Sequence, residues 1–206
     1  ELVRQAIAAA LGTVAFAVAA VAPLTLLRRH WRLLYLGTIG LMIVVFANAE
    51  RVRGSKRWLE LGPFQFQPSE FGKTMFVLAI AGFLADRARR IHSTRTVATA
   101  VGLGLVPMAL VFAQPDLGTA LVYAAALAAV LFVAGVRWLH MVVLVLAAAL
   151  LATSVLWFLP AVGVQVLKPY QVKRITGFTH PTSDPSGDTY NITQSKNAIG
   201  SGEFHG

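Results

Sequence analysis

The sequence predicts an all-α integral membrane protein, a polytopic helical bundle, and three observations carry that expectation. Of 206 residues, 56% are hydrophobic and only 13% charged, with a mean hydropathy of +0.66, which is more apolar surface than a soluble fold of this size can bury. Six windows (6–27, 33–49, 71–85, 96–113, 117–136 and 139–159) approach the roughly 20 mostly apolar residues that a membrane span needs. These windows are rich in Leu, Val and Ala without sustained period-2 alternation, so they read as helices rather than barrel strands.

Arg4 precedes the first span, where an arginine most simply anchors the helix by snorkelling. Residues 28–32 (Arg-Arg-His-Trp-Arg) form a basic turn into the second span. Residues 86–95 hold four Arg and one acid, and Arg137-Trp138 occupies a third short turn. Alternating spans put these three turns on one side of the membrane. They hold eight Arg and a single Asp, as expected of a cytoplasmic face. The other side holds ten Lys/Arg and eight acids, so raw counting does not orient the chain; long loops, however, carry little weight in that rule. The histidines are dispersed, and His30 and His140, at basic membrane edges, are expected to meet lipid headgroups. The net charge of +9 therefore points to anionic lipid rather than nucleic acid.

Between the second and third spans the charged extracytoplasmic loop 50–70 carries Arg51, Arg53, Lys56 and Arg57, then the amphipathic Trp58, then Gly62-Pro63 and Gln67-Pro68. The prolines predict a structured loop rather than a helix. Ser69 is the expected N-cap of the third span, and Glu70 and Lys73, three apart, share a face of its first turns. One reading is a cap with an intrahelical ion pair. The other takes Glu70 and Lys73 into the membrane to line a polar cavity, because an ionisable group there costs about 3 kcal/mol and usually faces protein or water. With the three basic turns inside, the Arg51–Arg57 cluster faces outward against the usual bias, and an anionic ligand is one explanation.

Gln114-Pro115-Asp116 interrupts the fourth and fifth windows by only three residues. Pro115 disfavours helix at Gln114, and Asp116 suits the next N-cap, unless it lies below the surface in a cavity. After Pro160 the chain turns polar. Residues 160–206 are expected to be part of an extracytoplasmic loop, with a short helix finishing at Gly200. Cysteine is absent, which removes disulfide and thiolate chemistry, and no nucleotide-binding glycine loop or metal-ligand spacing occurs. The chain begins with Glu1 and stops at Gly206 in a glycine-rich run, and is expected to be a fragment cut at both ends.

Three blocks carry a resemblance: residues 56–73 (Lys-Arg-Trp-Leu-Glu-Leu-Gly through Gln-Pro-Ser-Glu-Phe-Gly-Lys), residues 113–119 (Ala-Gln-Pro-Asp-Leu-Gly-Thr) and residues 194–202 (Gln-Ser-Lys-Asn-Ala-Ile-Gly-Ser-Gly). In this order they resemble the RodA/FtsW (SEDS) glycosyltransferases of bacterial cell-wall synthesis, with the third block more like the RodA branch. The resemblance covers the whole chain and implies a ten-span fold, of which residues 1–159 supply the second through seventh spans, in the bacterial cytoplasmic membrane. It implies polymerisation of lipid II, a disaccharide-pentapeptide on undecaprenyl pyrophosphate, into glycan strands for rod-shaped growth. The partner it implies is a class B penicillin-binding protein. Arg4, Arg57 and Lys73 match the cations expected to hold pyrophosphate, Glu70 pairs with Lys73, and Gln114, Asp116, Gln194 and Ser195 match positions expected around the cavity. The general base that the resemblance implies is an Asp in a Thr-Asp-Phe motif after the glycine-rich run. That motif is absent from residues 1–206 and is expected beyond Gly206, so no catalytic residue is assigned. Cofactors are likewise unassigned, with a divalent cation left open. A flippase of a lipid-linked precursor would need the same cations and groove, and a scaffold for a transpeptidase is compatible with either.

Overall fold

The computed structural model describes residues 2–48, 59–61, 64–114, 116–164, 166–167, 172 and 190–202, which fall into two compact units, residues 1–143 and 144–206. The first unit contains α1 (Leu2–Val21), α2 (Leu24–Arg29), α3 (Trp31–Asn48), β1 (Leu59–Leu61), β2 (Phe64–Phe66), α4 (Pro68–Ala85), α5 (Thr94–Ala113) and α6 (Leu117–Val133). α7 (Trp138–Thr153) crosses the boundary. It runs through a π-helical segment at Ser154–Phe158 into α8 (Leu159–Ala161), and α9 (Tyr190–Gly202) follows in the second unit.

Thr94–Ala113 and Trp138–Ala161 are each long and apolar enough to cross a membrane, and Gln5–Val21, Trp31–Val45 and Leu117–Val133 are shorter apolar helices. Their outward faces expose large apolar side chains, Val133, Phe132, Leu146 and Leu150 among them, as lipid-facing helices do.

The structure corrects or refines five expectations. The first apolar window is not one span: the helix stops at Val21 and restarts at Leu24, because Pro23 has no amide hydrogen and disfavours helical geometry at Ala22. Arg28 and Arg29 consequently end α2, and Trp31 and Arg32 already open α3. The loop before α4 contains an antiparallel strand pair with Glu60 opposite Gln65, so the predominantly helical chain carries one short hairpin. Ser69 is not the N-cap of α4. Gln67 holds that position in extended geometry, with Pro68 at the first helical turn, where its missing donor costs nothing. The helix predicted to finish at Gly200 continues to Gly202.

α4 is the hub of the first unit, packing on α2, α3, α5 and α6. Its glycines permit the approach: a Cβ on Gly82 would lie 2.6 Å from the Trp31 Cβ, and one on Gly72 would lie 2.6 Å from the Tyr123 hydroxyl. Phe76, Ala79, Ile80 and Phe83 fill the core along α4, facing Met42 and Val45 of α3, Val97, Ala100 and Val111 of α5, and Tyr123, Leu127 and Leu131 of α6.

Contacts place the three basic turns at one end of this unit. Arg28 Nε donates to Asp86 Oδ1 at 3.0 Å and its terminal nitrogen to the Ala85 carbonyl at 3.1 Å, while Trp31 Nε1 donates to Asp86 Oδ2 at 3.0 Å. Thr94 Oγ1 lies 3.2 Å from His140 Nε2, joining the second turn to the third. His30 Nδ1 lies 3.0 Å from the Leu26 carbonyl one turn earlier.

The Arg28 hydrogen bond, followed by that of Trp31 and the charges of Arg28 and Arg87, holds the Asp86 carboxyl below the ordinary carboxylate range, against some desolvation. A depressed folded pKa contributes stability above the unfolded value of about 4 and loses it as pH falls through the folded value. Hydrogen-exchange protection across residues 24–32, taken relative to the intrinsic exchange rate at each pH, is therefore expected to stay flat from pH 5 to pH 9 and to fall only in acid. Asp86→Asn should lower it at neutral pH, and unchanged protection in that variant would remove Asp86 as the fastener between α2 and α4.

Candidate functional site

At the opposite end of the first unit, the residues singled out between α4 and α6 gather around the start of α4. Glu70 takes a first-turn position, where a carboxylate suits the helix dipole, and Lys73 follows one turn later. Lys73 Nζ lies 2.9 Å from Glu70 Oε1 and 2.8 Å from Oε2, with the lysine side chain 26% and the glutamate 51% exposed. The shared face expected of the pair is therefore real, and Lys73 is neutralised by its own neighbour.

The Tyr123 hydroxyl donates to the Ser69 carbonyl at 3.2 Å, and Tyr123 is the seventh residue of α6. The Tyr123 side chain thus bridges the early turns of α6 and the first turn of α4, so the ion pair lies where these two helices pack side by side. Tyr123 is fully buried, with its ring centroid 5.1 Å from that of Phe76, and its hydroxyl closes over Gly72. Ser69, displaced from the cap, is buried as well, and its hydroxyl accepts from Gln67 Nε2 at 3.1 Å.

Gln114 and Asp116 belong to the same end. Gln114 is the C-cap of α5, and its side-chain amide donates to the Met42 carbonyl on α3 at 3.2 Å. The methyl group of Met42 in turn lies against Gly72 of α4. Asp116 is the N-cap of α6, accepting from the Thr119 amide at 3.1 Å, and it is 7% exposed. The N-cap reading of Asp116 therefore holds, with the carboxylate buried in the turn between α5 and α6. Pro115, between them, lies outside the described residues.

The remaining candidates are placed differently. Arg57 lies outside the described residues, as do Arg51, Arg53 and Lys56; Arg4 lies on α1 with its side chain outside them. Gly206, beyond which the general-base Asp is expected, also lies outside the described residues, so the candidate site is built here without a general base. Gln194 and Ser195 are exposed on α9 in the second unit. Among the described residues no group of three or more His, Asp or Glu could hold a metal ion. Tyr123 and Gly72 were missed by the sequence reading. A tyrosine in mid-span was the available signal, since a buried tyrosine hydroxyl usually finds a partner.

The family model described as "Cell cycle protein", FTSW_RODA_SPOVE, matches residues 1–206. The chain belongs to this FtsW/RodA/SpoVE family. It is 32% identical over 206 residues to the probable peptidoglycan glycosyltransferase FtsW of Hydrogenovibrio crunogenus, covering 100% of this chain and 51% of that protein. To the peptidoglycan glycosyltransferase MrdB of Escherichia coli K12 it is 40% identical over 174 residues, covering 84% and 45% respectively. A solved chain from "Structural coordination of polymerization and crosslinking by a peptidoglycan synthase complex" superposes with a TM-score of 0.76 at 34% identity, covering 96% of this chain and 56% of that one. The chain spans about half the length of the curated relatives it matches. Membership of the FtsW/RodA/SpoVE (SEDS) family agrees with the apolar helices of an integral membrane protein.

Proposed function

We propose that this chain is part of a peptidoglycan glycosyltransferase of the RodA branch, acting in the bacterial cytoplasmic membrane to polymerise lipid II for elongation of rod-shaped cells. The relatives' names as peptidoglycan glycosyltransferases support the activity, and the 40% identity to MrdB supports the branch. The single structural observation that carries the reading is the gathering at one end of the first unit of the Glu70–Lys73 ion pair in the first turns of α4 and the buried Gln114 and Asp116 between α5 and α6. Polar and ionisable groups gathered at one end of a bundle of apolar helices suit a substrate whose diphosphate enters at the membrane surface while its polyprenyl tail stays in lipid.

In this reading the acceptor sugar hydroxyl attacks the anomeric carbon of the donor, and undecaprenyl pyrophosphate departs. Lys73 stabilises the charge on the departing diphosphate, exchanging its contact with Glu70 for one with phosphate. Arg57 and Arg4 are its proposed helpers, and Gln194 and Ser195 are proposed to contact the same substrate. A carboxylate accepts the proton of the attacking hydroxyl. The resemblance places it in a Thr-Asp-Phe motif that residues 1–206 do not contain, so the role proposed for this chain is binding and charge stabilisation. A class B penicillin-binding protein is the proposed partner, in keeping with the "peptidoglycan synthase complex" of the structural relative.

The test is conversion of lipid II to glycan polymer by the purified full-length protein in detergent. Polymer that disappears when the Asp of the Thr-Asp-Phe motif is replaced supports the proposal. Transfer of lipid II across sealed vesicles without polymer would establish the flippase instead.

A further inference from the structure

At the end of the first unit opposite the candidate site, two hollows adjoin. One, of about 670 Å³, is lined by Arg28, Arg32, Arg87, Arg89 and Arg90 around Asp86. The other, of about 460 Å³, is an apolar groove between the end of α4 and the end of α6, lined by Ala81, Leu84, Ile91, Ala129, Val130 and Val133. Ala85 and Ala88 line both, so basic hollow and apolar groove are continuous.

The charges in the basic hollow are unbalanced. Five guanidinium groups surround one carboxylate, and that carboxylate is already bound by Arg28 and Trp31. Arg87 stacks on Phe83 at 4.0 Å and Arg32 on Trp31 at 5.5 Å, so aromatic faces hold both. Arg89 and Arg90, on the single 3₁₀ turn Ala88–Arg90, are exposed and have no acidic partner among the described residues. Fixed guanidinium forks suit phosphate oxygens better than mobile ammonium groups would. The adjoining groove opens on the outer faces of α4 and α6, where Ala81, Ala85, Ala129 and Val133 are exposed. For membrane helices, that surface is acyl chain.

We propose that this double hollow is a binding site for an anionic phospholipid of the leaflet on the basic-turn side, with the phosphate between Arg89, Arg90 and Arg32 and an acyl chain along the α4–α6 groove. Charge complementarity selects an anionic headgroup, and continuity with the groove selects a lipid over a soluble phosphate or an acidic peptide. The bound lipid braces the 3₁₀ turn that links α4 to α5, on which Asp86 already anchors α2. The site is independent of the proposed glycosyl transfer at the other end of α4.

The test uses the full-length protein in nanodiscs containing dioleoylphosphatidylglycerol and dioleoylphosphatidylcholine, with lipid retained after mild extraction read by native mass spectrometry. The wild type is expected to retain phosphatidylglycerol preferentially. Arg89→Gln and Arg90→Gln are each expected to lower that retention by about fivefold. Both side chains are exposed, so neither change should alter the thermal unfolding midpoint. Ala129→Trp, which fills the groove, should lower retention with every arginine intact. Equal retention of the two lipids, or unchanged retention in the Arg89→Gln/Arg90→Gln protein, overturns the proposal. Displacement of the lipid by glycerol phosphate or by an acidic peptide as readily as by phosphatidylglycerol overturns it in favour of a soluble ligand.

Discussion

Lys73→Ala in the full-length protein is expected to lower lipid II polymerisation about tenfold or more, a change of about 1.4 kcal/mol in the barrier. The structure sharpens what this variant must be compared with, because Lys73 is paired to Glu70 at 2.8 Å and both side chains keep some exposure. A partly exposed ion pair is worth about 0–1 kcal/mol to the fold, so its loss alone leaves the protein folded. Removing the lysine also leaves the Glu70 carboxylate without that partner, and a stranded carboxylate mimics a binding defect. The neutral pair Glu70→Gln/Lys73→Met separates the two causes: activity should stay low if Lys73 meets diphosphate, and should recover if a stranded carboxylate was the problem. Glu70→Gln alone leaves the cation in place and should cost less. The exchanged pair Glu70→Lys/Lys73→Glu preserves the attraction but moves the cation one turn towards the start of α4, and should stay impaired. Normal turnover by correctly folded Lys73→Ala protein refutes the assignment.

Tyr123→Ala is expected to give the largest loss of stability, about 3–5 kcal/mol, as for other large buried aromatic side chains. Tyr123 is fully buried, touches Phe76 and covers Gly72, so truncation opens a cavity where α4 and α6 meet. Tyr123→Phe keeps the ring and loses only the hydrogen bond to the Ser69 carbonyl, which should cost about 1 kcal/mol. Unfolding of the full-length protein in detergent measures both. Polymerisation should fall in Tyr123→Ala and persist in Tyr123→Phe, because the ring rather than the hydroxyl keeps the first turn of α4 against α6. Equal stability of the two variants would show that the ring contributes little to that contact.

Much of the candidate site was legible because it depends on local spacing. Glu70 and Lys73, three residues apart, had to share a helical face, and Asp116 after a proline had to begin the next helix. Ser69 misled for an equally local reason: serine and proline both favour a helix start, and the proline took the first helical turn, leaving the cap to Gln67. The break at Pro23 was hidden because hydropathy averages over a window, whereas a missing amide hydrogen acts at one residue.

The sequence by itself determined that this chain is a set of apolar helices, that its arginines crowd into three short turns, and which family it resembles, since composition and motif order are properties of the chain read in one dimension. Only the tertiary structure decided that Asp86 binds Arg28 and Trp31, that Tyr123 reaches Ser69, and that Gln114 reaches the Met42 carbonyl. Each of these depends on which faces of separate helices meet. Small residues at Gly72 and Gly82 permit that close approach, and nothing in the spacing along either helix encodes which neighbour comes to lie there.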